Sequence, residues 1–455
     1  MLYSIKKVHL IGIGGIGMSG IAELLKNKEF VVSGSDIADS PNVQRLIDLG
    51  INVSIGHNKE NISDAELVIY SDAIPKENSE LVEALAKNII VYSRARMISE
   101  IAKLNNSTVA IAGTHGKTTT TSMVGTILKA INLDPTIIVG GVVKSLESNS
   151  VLGKGDTFVV EADEYNKSLL HLSPTIAVIN NIDFEHIECF KDIDDLKNTF
   201  LQFANSVPFY GTVCACKDSK NVASILSKID KPLITYGIDS QDIDIKAENL
   251  HQENGNISFD VRVKGQRFSI NLSVPGKYNV YNALAALSVC ETMGIDLESA
   301  CKALSNFSGV KRRFDIKANK DIMIIDDYAH HPVEVENVIE TVKSNWNKNL
   351  NVIFQPHLFS RTKEFYKDFA KALMRADNVM ITEIFASREK EDNSTSSNLI
   401  IDEMLKLNHK NVSYVSSKEI VKKVKSVAVK GDIFLTMGAG NIWRYAEDLG
   451  KHYND

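Results

Sequence analysis

Short apolar runs alternate along this chain with stretches in which apolar residues recur every three or four positions. Runs of the first kind read as buried strands, and stretches of the second kind as the helices that cover them. A strand at 8–11 is followed by Met18, Ile21, Leu24 and Leu25 on one helix face, then by a strand at 30–33. A helix on Gln44, Leu46, Ile47 and Leu49, a strand at 67–70, a helix at 81–86 and a strand at 89–92 complete a first group. Asn105-Asn106-Ser107 reads as a linker after it.

A second group opens with a strand at 108–111 and a helix carrying Met123, Ile127 and Ile131. Strands at 136–139 (closed by Gly140-Gly141), 157–160 and 175–179 follow, then a helix at 194–204. Residues 257–263 and 267–272 alternate around Lys264-Gly265-Gln266, which predicts a hairpin on the edge of the sheet. Helices at 279–292 and 297–304 lead to Gly309-Val310-Lys311-Arg312-Arg313. From Ile322 the alternation is clean, with strands near 322–325, 351–354, 378–384, 412–415 and 432–436. The expectation is an α/β chain of three domains. A Rossmann-like N-terminal domain covers 1–104. A central domain at 105–310 holds a P-loop ATPase-like, mostly parallel sheet. A Rossmann-like, doubly wound C-terminal domain covers 311–455.

Two strand-to-helix turns carry the chemistry. At 112–121 the chain reads A-G-T-H-G-K-T-T-T-T. Backbone N–H groups at a helix start attract an anion, Lys117 can reach outer phosphates, and the Thr118 hydroxyl can ligate magnesium. The usual first glycine of a phosphate loop is replaced by Ile111, and Gly113 stands two positions later. The other turn is Gly12-Ile13-Gly14-Gly15-Ile16-Gly17, a G-x-G-x-x-G with Asp36 in the place of the carboxylate that holds a ribose hydroxyl. Such a fingerprint specifies a diphosphate and a ribose. NAD and a UDP-sugar both offer those groups, so on this loop alone an NAD-dependent oxidoreductase stays open.

Strand ends add polar groups. Glu161-Ala162-Asp163-Glu164 follows the strand at 157–160, where a magnesium ligand is expected. His186 lies beyond the strand at 175–179 and is a candidate metal ligand. In the last group the clusters at 326–331, 355–361 and 383–388 should open onto one crevice. The 455 residues carry a net charge of −6 (51 basic, 57 acidic), which argues against nucleic acid as a partner. No run approaches the roughly 18 apolar residues of a membrane span. Glycines at 12, 14, 15 and 17 interrupt the only stretch that imitates a signal peptide. Five cysteines without a framework spacing point to reduced thiols and a cytoplasmic enzyme. Cys214-x-Cys216 reads as strand packing.

The chain resembles the Mur ligase family along its whole length. The resemblance rests on the opening H-L-I-G-I-G-G-I-G-M-S-G-I-A-E-L-L, on A-G-T-H-G-K-T-T-T-T, E-A-D-E and P-G-K-Y-N-V-Y-N-A-L-A-A, and on G-V-K-R-R-F, D-D-Y-A-H-H-P, Q-P-H-L-F-S-R-T and G-A-G-N-I-W. It implies that the first domain holds UDP-N-acetylmuramate, the second ATP and Mg2+, and that the third closes over both. The muramyl carboxylate would take the γ-phosphoryl group, and the amine of L-alanine would displace phosphate.

By motif match, ATP falls to Gly113, Thr114, His115, Gly116, Lys117, Thr118, Thr119, Asn279, Asn282, Arg313, Asp327 and Tyr328. Thr118 and Glu161 should hold one magnesium and His186 a second. The UDP side falls to Gly12, Gly14, Gly15, Ile16, Gly17, Asp36 and Ser71. Lys117, His186, His357 and Arg361 take the catalytic positions, with His357 and Arg361 where the amino-acid carboxylate is expected. The family commonly shows E-A-D-E-S-D and a histidine after A-D. Here Tyr165, Asn166 and Glu185 depart from that. A related ligase that joins a whole tripeptide to the same sugar nucleotide also has tyrosine after E-A-D-E. It is the alternative. Gly14-Gly15-Ile16-Gly17 and the stretch at 167–172 fit the alanine-adding branch better. The resemblance leaves a monomer and a homodimer equally open.

Overall fold

The computed structural model describes residues 5–71, 73–144, 148–185, 189–387 and 389–454, and of Ile16, Val142, Ser148 and Asn149 only the backbone. His186 and Arg388 therefore lie outside the described residues. Three sheets organise the chain. The first holds β1 (Lys7–Ile11), β2 (Val31–Asp36), β3 (Asn52–Ile55), β4 (Leu67–Tyr70) and β5 (Ile90–Ser93) in the order β3-β2-β1-β4-β5, all parallel. Its order reverses between β1 and β4, so the turns after those strands flank one crevice.

The second sheet holds β6 (Ser107–Ala112), β7 (Thr136–Val143), β8 (Ser148–Val151), β9 (Thr157–Ala162), β10 (Ile176–Ile179), β11 (Thr212–Cys216), β12 (Leu233–Gly237), β13 (Ile245–Glu253), β14 (Asn256–Val263) and β15 (Gln266–Leu272). Their order is β15-β14-β13-β12-β11-β10-β6-β9-β7-β8. The third holds β16 (Asp315–Asn319), β17 (Met323–Asp327), β18 (Leu350–Phe354), β19 (Asn378–Ile381), β20 (Val412–Tyr414) and β21 (Ile433–Met437), in the order β16-β17-β21-β18-β19-β20. Only β16 runs antiparallel in it.

By contacts the chain divides into two units. One is Met1–Glu248, Asp260–Ile270 and Tyr281–Leu304. The other is Asn249–Phe259, Asn271–Val280 and Ser305–Asp455. In the first, the centre of the second sheet is covered by helix Lys117–Ala130, which buries Met123, Val124, Ile127 and Leu128. Each such side chain contributes roughly 1.5–3 kcal/mol on removal from water, so the helix start is held firmly against the sheet. In the second unit, Val352, Phe354, Leu435 and Met437 pack with Val338, Phe369 and Leu373.

Several expected boundaries move. Ser107 opens β6, so the linker is at most Asn105-Asn106. Residues Gly140-Gly141 do not close β7, which runs on to Val143, because Val142 and Val143 suit extended backbone and Gly140 N–H is held by the Glu161 carboxylate at 2.7 Å. The helix around Ile131 stops at Ala130. The strand expected at 378–384 ends at Ile381. Strands β3, β8, β12, β13 and β16 had no counterpart among the expected strands. The expected hairpin is present as β14 and β15. None of the five cysteines forms a disulfide, and Cys214 and Cys216 pack inside β11.

Candidate functional site

The loop Gly113–Gly116 joins the buried end of β6 to helix Lys117–Ala130. Gly116 caps that helix with φ 81°, in the left-handed region, and a Cβ there would collide with the Asn282 amide. Only glycine meets both demands. Side chains from β10 and beyond shape the rest. His115 N–H donates to Asn181 Oδ1 at 2.8 Å, and Asn181 Nδ2 returns to His115 O at 3.1 Å. Thr114 and Asp183 exchange hydrogen bonds of 3.1 and 2.9 Å. Asn180 Nδ2 donates to Thr120 Oγ1 at 3.1 Å, Thr120 donates to Asn282 Oδ1 at 3.1 Å, and Tyr236 OH donates to Asn180 Oδ1 at 3.0 Å. Buried amides thus fix the loop without adding charge. Thr119 is buried in the first turn, and Thr118 beside it is half-buried.

Lys117 folds back over this loop. Its ammonium donates to Gly113 O at 2.6 Å and Thr114 O at 3.3 Å, and meets both oxygens of Glu164 at 3.1 and 2.8 Å. Burial alone would lower its pKa, but the Glu164 carboxylate, with Asp163 and Glu185, raises it above the ordinary lysine value. Lys117 is thus a permanent cation. Glu161 lies in β9 directly opposite Ile111 of β6, one strand from the loop. Glu164 is a member of this site that the sequence reading left unassigned, although it stood in the quoted E-A-D-E.

The first glycine loop is held differently. Gly12 and Ile13 N–H groups donate to Ser35 O at 2.8 and 3.0 Å. Gly14 N–H donates to Asp36 Oδ2 at 2.9 Å, and Asp36 Oδ1 accepts from Ala38 N–H at 3.3 Å. Asp36 therefore grips the loop, and each oxygen keeps a lone pair for a ribose hydroxyl. Gly15 caps helix Ile16–Asn27 with no side-chain oxygen, and its first turn has no acidic residue. Ser71 follows β4 beside Gly12. Beneath this loop lies Glu80, fully buried. It accepts from Ser35 Oγ at 2.6 Å, Asn61 Nδ2 at 2.7 Å and Asn58 N–H at 3.1 Å, and pairs with His9 Nε2 at 3.1 Å. Burial would raise its carboxyl, but hydrogen bonds from His9, Ser35 and Asn61 hold it down at about 2. No periodicity or motif signalled this residue.

In the second unit, Asp327, Tyr328 and Arg313 come together. The Arg313 guanidinium lies 5.0 Å above the Tyr328 ring and 3.6 Å from Glu334. Burial pushes the Asp327 carboxyl up to about 6, against the pull of Arg313 and of N–H bonds from Phe314 and Ala329. Arg361 is buried and donates to His357 Nδ1 at 3.1 Å. Because arginine only donates, that nitrogen accepts and the imidazole proton sits on Nε2. His357 also stacks on Phe385 with centroids 6.0 Å apart. Between the pair, Leu358 caps helix Phe359–Leu373 at φ 70°, ψ 137°. Asn279 in this unit turns its amide to Pro275 O at 2.7 Å, whereas Asn282 belongs to the first unit. At the end of β19, Glu383 is tied to the segment after the neighbouring β20, its carboxylate accepting from the N–H of Ser417 at 3.0 Å.

Two glycine loops of different construction, one with a lysine at the helix start, together with a histidine–arginine pair on a further sheet, define a nucleotide-dependent enzyme of three α/β domains. Sequence profiles described as Mur ligase family, catalytic domain, as Mur ligase middle domain, and as Mur ligase, glutamate ligase domain match residues 7–106, 111–290 and 312–440. A UDP-N-acetylmuramate–L-alanine ligase of a Sulfurihydrogenibium species is 42% identical over 453 residues, covering 99% of this chain and 98% of its own. Among solved structures, a UDP-N-acetylmuramate–alanine ligase from Thermotoga maritima matches with TM-score 0.83 at 31% identity, over 98% of this chain and 99% of that one. A tripeptide-adding UDP-N-acetylmuramate ligase from Neisseria meningitides matches with TM-score 0.62 at 30% identity, over 68% of this chain and 100% of that one. The chain belongs to the Mur ligase family. It is accordingly an ATP-dependent ligase, and the oxidoreductase reading of the first loop gains no support from any of these matches.

Proposed function

We propose that the chain joins L-alanine to the lactyl carboxylate of UDP-N-acetylmuramate at the expense of ATP, through an acyl phosphate, as a step of peptidoglycan precursor synthesis. The observation that carries this reading is the 42% identity along virtually the whole of a ligase bearing that name. The working division is 1–104 for the sugar nucleotide, 105–310 for ATP and 311–455 for the amino acid and domain closure. The proposed compartment is the cytoplasm, with a monomer or homodimer as the working unit. Among the described residues no helix is long and apolar enough to cross a membrane.

In this reading Gly113 to Thr119 cradle the donor's phosphates, Asn279 and Asn282 lie near its adenine, Arg313 near its phosphates, and Asp327 and Tyr328 on the nucleotide side of the third domain. Lys117 exchanges Glu164 and the loop carbonyls for the γ-phosphoryl oxygens, neutralising charge as transfer proceeds. The hydroxyl of Thr118, in the first helical turn, and the carboxylate of Glu161, in β9, are hard oxygen donors, which suits one magnesium, and by motif His186 would hold a second. Magnesium, when bound, would supply charge neutralisation at the transferring phosphoryl group. Arg361, aligned by His357, offers a bidentate grip for the carboxylate of alanine and so directs its amine at the acyl phosphate. Gly12 to Gly17, Asp36 and Ser71 hold the UDP.

The test is phosphate release with UDP-N-acetylmuramate and ATP, comparing L-alanine, glycine, L-serine and the tripeptide. Release with L-alanine at the highest kcat/KM is expected. Preference for the tripeptide, or release independent of the sugar nucleotide, would overturn the reading.

A further inference from the structure

The two glycine loops differ in where their positive charge comes from. The loop at 113–116 is followed at once by Lys117, whereas the loop at 12–17 contains no basic residue. A diphosphate at its helix start would meet backbone N–H groups alone, unless a cation arrives from elsewhere in the fold. One does. Arg94 begins the helix Arg94–Ala102 that follows β5, and its side chain lies across Gly17. A Cβ built on Gly17 would stand 3.1 Å from Arg94 Nη1 and 3.3 Å from its Cδ. Glycine at 17 therefore leaves room for that guanidinium over the first turn of helix Ile16–Asn27. The opposite side of the guanidinium faces the other loop's territory, with Arg94 Nη2 3.7 Å from Asp163 Oδ2.

We propose that Arg94 grips the diphosphate of the acceptor nucleotide, and that Asp163 is the resting partner it leaves when the nucleotide binds. The inference rests on the UDP-sugar reading of the first loop.

The geometry favours this exchange. The Arg94–Asp163 pair is long for an ion pair and both side chains are partly exposed (26% and 40%), so it contributes little and is given up cheaply. A diphosphate offers paired oxygens with more charge, which the planar guanidinium fork can grip in bidentate fashion better than it grips a single distant carboxylate. The helix bearing Arg94 is itself anchored, because Ser99 Oγ donates to His171 O at 2.5 Å and Ser93 caps its first turn through Arg96 N–H. The guanidinium can thus turn between partners while its backbone stays fixed. Asp163 also belongs to the carboxylates that raise the pKa of Lys117. Arrival of the acceptor therefore releases a carboxylate beside the donor loop, which links the filling of one site to the electrostatics of the other.

The experiment compares wild type with Arg94→Ala, Arg94→Lys and Asp163→Asn, reading binding of UDP and of uridine by calorimetry and the steady-state constants for UDP-N-acetylmuramate. Arg94→Ala should weaken UDP about 10- to 100-fold and leave uridine unchanged, with KM for the sugar nucleotide rising more than kcat falls. Arg94→Lys should recover part of the loss. Asp163→Asn should tighten UDP about threefold, since it removes the competitor. Equal losses for UDP and uridine, or parallel weakening by Arg94→Ala and Asp163→Asn, would make the pair a strut between two packed segments and overturn the proposal. Unchanged UDP affinity in Arg94→Ala would do the same. Failure of wild type to bind UDP at all would instead overturn the reading of the first loop on which the inference rests.

Discussion

The loops at 12–17 and 113–116 share one grammar of strand, glycines and helix start, yet they are stabilised by opposite means. The first hangs on backbone bonds to Ser35 O and on the Asp36 carboxylate, above a buried anion at Glu80. The second is laced by neutral amides from Asn180, Asn181 and Asn282 and keeps its own cation, neutralised by Glu164. Beneath the first loop the buried charge is a carboxylate, Glu80, whereas the second carries its own ammonium, Lys117. Substrate retention and phosphoryl transfer place different demands on a cradle, since only the latter needs a cation that moves onto charge developing in the transition state.

The largest break in this comparison should come from Lys117→Ala. Turnover in the phosphate-release assay should fall by about 10³ or more, while UDP binding measured separately stays intact. Calorimetric unfolding should also show a loss of several kcal/mol, because Glu164 is left buried without its cation. Adding Glu164→Gln should restore stability but not turnover. Recovery of both would mean that Lys117 is structural.

Gly116→Ala comes next. The left-handed φ and the collision with Asn282 should together cost about 2–4 kcal/mol and weaken ATP at least tenfold. Gly12→Ala, at φ 78° with its nearest neighbours 3.3 Å away, should cost less, about 1–2 kcal/mol. Equal costs in denaturant titration would mean that the amide lacing adds nothing.

A pH series sharpens the contrast further. Glu80 is held at about 2 in the folded chain, below an unfolded value near 4.3. Its contribution is therefore present above about pH 4.5 and lost as pH falls through the folded value, amounting to about 2–3 kcal/mol. Glu80→Gln should flatten stability between about pH 4.5 and 2. An unchanged acid limb in that variant would remove Glu80 from the account. The smallest effect expected is Ser35→Ala, about 1 kcal/mol from one hydrogen bond to that carboxylate, with a modest rise in KM for the sugar nucleotide and no change for ATP.

Local chemistry made part of this architecture legible in the sequence. Glycines at turns, a lysine at a helix start and apolar runs in buried strands each follow from a few adjacent residues. Three of the strands that escaped, β3 (N-V-S-I), β13 (I-K-A-E-N-L-H-Q-E) and β16 (D-I-K-A-N), interleave polar residues with apolar ones and so leave no apolar run. Residues that complete the sites escaped for a different reason. Glu164 reaches Lys117 only because β9, just before it, pairs beside β6, which leads into the lysine's loop. Arg94 meets Gly17 only through the packing of β5 beside β4 in the first sheet. Such encounters depend on three-dimensional register, which no window along the chain contains.

Leu358 is a case where selection pulls two ways. A non-glycine residue at φ 70°, ψ 137° stores strain, and it is pinned there by its N–H bond to Phe385 O at 3.0 Å and by Thr362 Oγ1 donating to its carbonyl at 2.8 Å. The same corner lets His357 stand in a strand-like bridge to Phe385 while Arg361 sits in the first helical turn. On the proposed role of His357 and Arg361, a screen that rewards heat resistance would favour relaxing that corner and one that rewards turnover would favour keeping it taut. Directed evolution would then meet its stability–activity conflict at a backbone position that itself carries no reactive group.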